Sequence, residues 1–213
     1  MPVANIENKE TPSAEHVRLL DMKLLSDNWY VLRKFTFELR RRDGSWQRQS
    51  REAYDRGNGA ALLLFDPRRR TVVLTRQFRL PAFVNGCADG HLIEACAGLL
   101  DGNDPETCIR KEAEEETGYR IRAPRKVFEA YMSPGSVTEK LHFFVAEYQA
   151  EDRIHAGGGL ADEGEDIEVI EMPLAEALAG IATGQIQDGK TVMLLQHVAL
   201  NPYAGSQGEA GSA

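Results

Sequence analysis

Between residues 17 and 54 the chain alternates apolar with polar side chains, the period of a half-buried strand. Trp29-Tyr30-Val31-Leu32 leads into Phe35-Thr36-Phe37-Glu38-Leu39, and Arg42-Asp43-Gly44 supplies a hairpin turn. The return runs from Trp46 to Tyr54. So few strands are not stable alone, so they must pack on their own domain or on a second subunit. Asp55-Arg56-Gly57-Asn58-Gly59 punctuates the chain, and the pattern then changes. Ala60 to Phe65 is a continuous apolar run that predicts a buried strand, turned by Asp66-Pro67, and Thr71 to Arg79 predicts the next. Pro81 to Gly90 reads as a loop, and His91 enters a short strand-like run, Leu92 to Ala97, that ends in a turn at Gly98.

A helix follows with a start and a stop of its own. Asp104 supplies a capping side chain, Pro105 the first helical position and Glu106 an acid in the first turn. Thr117-Gly118 ends it. Beyond it, Lys126 to Tyr131 and Leu141 to Tyr148 predict strands around the loop Met132 to Ser136. Gly157-Gly158-Gly159 opens a mobile loop carrying Asp162-Glu163-Gly164-Glu165-Asp166, and Ile167 to Glu171 closes the sheet. Helices are predicted from Pro173 through Ile181 and over Thr191 to Leu200. The sum is an α/β (α+β) chain, a mixed sheet sandwiched by helices with an N-terminal antiparallel β arm. Residues 1–15 and 205–213 read as disordered tails, 16–56 as the arm and 57–204 as the main domain.

Composition narrows the partners. A chain of 213 residues, 42% hydrophobic, can form one domain with a proper core plus an arm. Its net charge of −8 argues against nucleic acid, though not against a nucleotide whose phosphates are met by metal and a few local cations. Cys87, Cys96 and Cys108 are an odd set without metal-type spacing, which points to a reducing cytoplasm. No apolar run reaches membrane-spanning length and the N-terminus lacks the apolar core of a signal peptide, so the expected protein is soluble, with no membrane partner.

The chemistry concentrates on the capped helix. Glu112, Glu115 and Glu116 stand at i, i+3 and i+4, which in a helix puts three carboxylates on one face. Like charges there repel by a few tenths of a kcal/mol per pair, and a divalent cation reverses that sign. Mg²⁺ seeks such oxygens, with substrate phosphates completing its shell. Arg76 and Arg79 serve either as edge cations or as phosphate ligands, and Glu139 is within chain reach of a sugar or a water. Lys190, at a helix start, is better placed for a ligand than for the helix dipole. Glu163 and Glu165, flanked by glycines, are candidate general bases. Four of the five histidines, His16, His142, His155 and His197, are scattered, and no G-x-S-x-G elbow, P-loop or GxGxxG is present. Metal-assisted displacement at phosphorus suits this inventory.

Gly98, Asp104, Lys111-Glu112, Ala113, Glu115-Glu116 and Gly118 resemble the Nudix box, with one residue fewer between Gly98 and Glu112 and with Asp104 and Lys111 in place of the usual glutamate and arginine. The segments REAYDRGNGA, TRQFR, LIEACAGLLD, YMSPGSVTE and DGKTVMLL extend the likeness to the GDP-mannose-hydrolysing branch of that family, from about Leu25 to Leu200. The resemblance implies a Mg²⁺-dependent hydrolase (two or three ions, with Mn²⁺ as a possible substitute) that splits the pyrophosphate of a nucleotide sugar. It further implies a homodimer with exchanged N-terminal strands. By motif, Ala97 (carbonyl), Glu112, Glu116 and Glu165 would hold metal, Glu115 would ligate or support, and Glu163 would be the base, with Glu163 and Glu165 interchangeable. Trp29, Arg51, Glu52, Arg79, Gly98, Glu139 and Lys190 would contact substrate. An ADP-ribose pyrophosphatase, cleavage at the sugar carbon and a silent nucleotide-sugar sensor are the alternatives.

Overall fold

Strand β4 (Gly59–Asp66) is buried at all of its positions, which is why its sequence is apolar without alternation. It lies at the centre of a seven-stranded sheet in the computed structural model, which describes residues 14–201 apart from the side chain of Glu163. The main path of that sheet also contains β5 (Thr71–Phe78), β8 (Arg125–Tyr131), β9 (Lys140–Glu147) and β10 (Glu168–Pro173), in the order β10-β5-β4-β9-β8. β4 pairs in parallel with β9 and antiparallel with β5, so the sheet is mixed.

β4 and β5 pair only where Leu64–Asp66 meets Thr71–Val73. Beyond that their remaining edges are taken up separately, β6 (His91–Glu94) pairing with β5 and β7 (Cys96–Leu99) with β4. The single run expected over 92–97 is therefore two short strands that change partner at Ala95. Gly98 is likewise not a turn residue but lies inside β7, opposite Ala60; the turn comes later, at residues 101–103.

Helix α2 (Pro105–Glu112) closes one side of the sheet. Its Cys108 and Ile109, with Ala113, share a buried cluster with Ala60, Leu62 and Leu64 of β4, and with Tyr119, Phe144 and Tyr148. Complete burial of a leucine such as Leu62 or Leu64 is worth about 1.5–3 kcal/mol. Helix α3 (Leu174–Thr183) packs on β10 and β5, and α4 (Gly189–Leu200), with Leu194, Leu195 and Val198 buried, packs on β4. The expected loop after β5 begins with one short helix, α1 (Leu80–Val84), which buries nothing and so has no apolar period to betray it. Among the described residues no helix is long and apolar enough to cross a membrane.

The N-terminal strands form a separate sheet, β1 (Val17–Asp27), β2 (Val31–Arg40) and β3 (Trp46–Asp55), antiparallel in that order. Leu20, Met22, Leu24 and Leu25 of β1 stay 40–54% exposed, an uncovered apolar surface on a sheet too small to be stable by itself. The chain divides into two compact units, and Tyr131–Lys140 belongs with the arm although its sequence position suggests the main domain. The reason is local pairing: Tyr54 N–H donates to the Ser136 carbonyl (2.8 Å), Thr138 N–H to the Tyr54 carbonyl (3.1 Å) and the Thr138 hydroxyl to Asp55 (2.9 Å). The tails expected at 1–15 and 205–213 lie outside the described residues, except Ala14, bridged to Val17, and Glu15.

Candidate active site

The acidic helix is fixed at both ends. Asp104 Oδ1 accepts from the N–H groups of Glu106 and Thr107, both at 3.1 Å, and Pro105 takes the position that needs no donor. After Glu112 the turn widens into a π-helix over Ala113–Thr117, a distortion frequent at functional sites. Gly118 then stops it in the left-handed region at φ +78°, where a Cβ would also overlap the His155 carbonyl. Two of the last carbonyls are capped by the glycine run. Gly158 N–H donates to Glu116 O (2.9 Å) and Gly159 N–H to Glu115 O (3.1 Å). Gly157-Gly158-Gly159, which composition reads as the start of a mobile loop, is thus a docking segment for the acidic helix.

The three helix glutamates do not all face one way. Glu116 is buried against β7, where one carboxylate oxygen accepts from Ala97 N–H at 3.3 Å. Glu112 lies over Gly98, close enough that any Cβ there would overlap its carboxyl. Glu115 turns aside to Lys111 (3.1 Å). A strand residue projects its N–H and C=O to the same edge, so the Ala97 carbonyl faces the side on which Glu116 sits. Glu165 Oε2 accepts from Leu160 N–H at 2.9 Å, packed where Gly159 leaves room.

Burial pushes the Glu116 carboxyl up to about 8; a hydrogen bond from Cys96 opposes this, while the charges of Glu112 and Glu165 add to it. A buried acid hemmed in by two more acids is a group that a hard cation would relieve. Among the described residues no three His, Cys, Asp or Glu side chains close into a metal cage. Mg²⁺ draws much of its shell from water and substrate phosphate. The donor set of Glu112, Glu116, Glu165 and the Ala97 carbonyl is all oxygen and suits it.

A pH dependence follows. Glu116 is raised above its ordinary range, so without metal the folded state holds a proton that the unfolded chain has lost. Metal-free stability should fall between pH 4.5 and about 8, and a cation must displace that proton. Titration calorimetry in buffers of different ionisation enthalpy should find close to one proton released per Mg²⁺ bound at pH 6.5. Apparent affinity should rise up to tenfold per pH unit and level off above about 8. Affinity flat with pH would contradict the Glu116 assignment.

Beside the acids stands a second cluster that the sequence only half revealed. Arg79 makes a bidentate pair with Glu94 (Nε to Oε1 2.8 Å, Nη2 to Oε2 2.9 Å). Lys190 Nζ also donates to Glu94 Oε2, and it pairs with Asp188 Oδ1 at 3.0 Å. Asp188 caps α4 through Thr191 N–H (2.9 Å), and the Thr191 hydroxyl both donates to Asp188 and accepts from Ala95 N–H at 2.6 Å. Burial opposes ionisation of Glu94, but Arg79 and Lys190 outweigh it and hold the carboxyl at about 2. Burial likewise opposes the charge on Lys190, yet Glu94 and Asp188 raise its pKa. Arg79 and Glu116 also feel each other's charge, which ties the two clusters together. Glu94, Asp188 and Thr191 escaped the sequence reading. The available signal was one acid inside the apolar run Leu92 to Ala97, since an unpaired acid is almost never fully buried.

Of the other candidates, Trp29, Arg51, Glu52 and Glu139 lie in the arm unit, and Glu163 and Arg76 in the main one. Trp29 is 77% exposed at the bend before β2, edge-on to Tyr30. Glu52 lines a shallow hollow with Tyr131 and residues 134–138, and Arg51 is exposed on the same strand with its Nη1 on the Ser50 carbonyl (2.8 Å). Glu139 is buried, 3.4 Å from Arg56 Nε. Glu163 ends a 3-10 turn at Ala161–Glu163; its side chain lies outside what is described. Arg76 pairs with Asp89 and Glu168 at the surface, an edge cation.

Comparison with known proteins bears on this geometry. Residues 16–54 match the family model of the GDP-mannose pyrophosphatase NudK N-terminal domain, and residues 55–195 match that of the NUDIX domain. The chain is 57% identical over 185 residues to a GDP-mannose pyrophosphatase of Cronobacter sakazakii, covering 87% of this chain and 96% of the relative. It is 56% identical to one of Citrobacter koseri with the same coverage, and 55% identical to one of Escherichia coli K12 over 86% and 95%. A crystal structure of an ADP compounds hydrolase superposes with a TM-score of 0.66 over 91% of this chain and 99% of that one. At 14% identity it speaks to the fold.

Proposed function

This chain belongs to the NUDIX family of hydrolases, and from that premise we propose that it hydrolyses the pyrophosphate bond of a nucleotide sugar, GDP-mannose, to GMP and mannose 1-phosphate. The observation that carries the reading is the buried Glu116, flanked by Glu112 and Glu165 and within the field of Arg79, which shares Glu94 with Lys190. The relatives that match over almost their whole length carry the substrate in their name.

NUDIX hydrolases act with a divalent metal, here Mg²⁺, whose chemistry is to polarise phosphoryl oxygens and to favour deprotonated water. Glu112, Glu116, Glu165 and the Ala97 carbonyl hold it. Glu115, paired with Lys111, supports them. Arg79 and Lys190 bind the phosphates; Arg79 spends Nε and Nη2 on Glu94, which leaves its Nη1 edge outside that pair. Glu163, on the loop next to Glu165, takes the proton from the attacking water. Trp29 stacks on the guanine, and Arg51, Glu52 and Glu139 orient the nucleotide and sugar. The protein works in the cytoplasm as a homodimer with exchanged arms. The exposed apolar residues of β1 support that state, since a dimer would cover them.

Hydrolysis in ¹⁸O-enriched water tests the reaction class. Attack at phosphorus places one heavy oxygen in GMP or mannose 1-phosphate. Label in free mannose, alongside GDP, would mean attack at carbon. Tight GDP-mannose binding with no turnover would make the protein a sensor.

A further inference from the structure

Glu94 is the most completely enclosed acid beside the candidate site, at 1% exposure. What it touches is the pair of cations. Arg79 reaches it from the end of β5 and Lys190 from the first turn of α4, elements separated by more than a hundred residues of chain. A long, flexible ammonium and a guanidinium, both rich in rotamers, are brought side by side by one carboxylate. Asp188 and Thr191 fix the frame: Asp188 takes Lys190 and the Thr191 N–H, while the Thr191 hydroxyl holds Ala95, the residue after Glu94. The four charges, two acids and two cations, sum to zero. The cluster therefore needs no ligand to balance it, yet its guanidinium retains an edge outside the bidentate pair, within electrical reach of Glu116.

We propose that Glu94 is a positioning residue for substrate: it orients Arg79 and Lys190 as a preformed two-pronged clamp for the diphosphate, without itself touching substrate. The proposal rests on the nucleotide-sugar pyrophosphatase reading for its ligand. Its physical content is that geometry outweighs charge. Loss of a carboxylate leaves the site one unit more positive, so charge alone would make Glu94→Gln bind a diphosphate more tightly. Loss of orientation makes it bind more weakly, because two side chains must then be ordered during binding. The two effects have opposite signs, which makes the role separable from simple electrostatics.

The test compares parent, Glu94→Gln, Arg79→Lys and the double variant, each full-length and with Mg²⁺. Inorganic pyrophosphate binding is read by calorimetry and GDP-mannose turnover by steady-state kinetics. Glu94→Gln is expected to weaken pyrophosphate about tenfold and to raise KM by a similar factor, with kcat within about threefold of the parent. In the Arg79→Lys background, where the bidentate partner is gone and only Lys190 is left for Glu94 to orient, the same substitution should shift binding clearly less than in the parent. Unchanged or tighter pyrophosphate binding by folded Glu94→Gln overturns the proposal, as does an equal shift in both backgrounds. If Glu94→Gln does not fold, the cycle is run with Glu94→Asp, which keeps the charge but shortens the reach, and the same two outcomes decide. Lack of turnover by the parent would sink the functional reading alone, because the pyrophosphate measurement does not depend on catalysis.

Discussion

Glu116→Gln is expected to lower GDP-mannose turnover by on the order of 10³-fold or more, equivalent to about 4 kcal/mol of lost transition-state stabilisation. The fold should survive. Glu116 is buried, its carboxyl holds a proton up to about pH 8 in the metal-free protein, and an amide of the same shape can still accept from Ala97 N–H. Metal-free stability should therefore lack the fall that Glu116 causes in the parent between pH 4.5 and about 8, so that the variant gains on the parent as pH rises through that window. The stabilisation that Mg²⁺ gives the parent protein should vanish. Thermal melts with and without Mg²⁺, beside steady-state rates, check both halves. Near-normal turnover at saturating Mg²⁺ would remove Glu116 from the metal set.

Gly98→Ala is the second large effect, and it acts at a distance of one side chain. The new methyl would overlap the Glu112 carboxyl, which is the far end of a flexible side chain and can move aside. Stability should fall by only about 1–3 kcal/mol, the usual cost of a small overpacking. Activity should fall much further, about 10²-fold, since a displacement on the order of 1 Å at a reacting centre costs that much. A variant that loses stability and activity in equal proportion would mean that Gly98 matters for packing alone. Retained activity would mean that Glu112 is not a ligand.

The pair of predictions also marks how far sequence carries. The acidic helix was legible because its signals are local: Asp104, Pro105, Glu106 and Gly118 lie within fifteen residues and each acts on its own turn. Glu112 and Glu116 could be placed from spacing, and the i,i+4 pairing of Lys111 with Glu115 was open to the same reading, but the π-turn after Glu112 has no signature in spacing. Gly98 was legible as special and misread as a turn, because the demand for a missing Cβ comes from a helix side chain fourteen residues on. Glu94 showed in the sequence only as one acid inside an apolar run, with nothing to name its partners. Its partners, Arg79 and Lys190, lie 15 and 96 residues away, and only the fold brings them to one carboxylate. The same holds for Tyr131–Lys140, whose attachment to the arm depends on the pairing of Tyr54 with the loop around Val137. β4, by contrast, was readable from composition alone, since a strand buried on both faces has no polar positions to alternate.

The central claim is hydrolysis of the P–O–P bridge of GDP-mannose by this acidic site, and one competition experiment tests it most directly. Equal concentrations of GDP-mannose and ADP-ribose are offered together to the purified protein with Mg²⁺, and the products are separated by ion-exchange chromatography. GMP and mannose 1-phosphate should appear first, with GDP-mannose consumed faster. Preferential release of AMP and ribose 5-phosphate, or of GDP and free mannose, would contradict it.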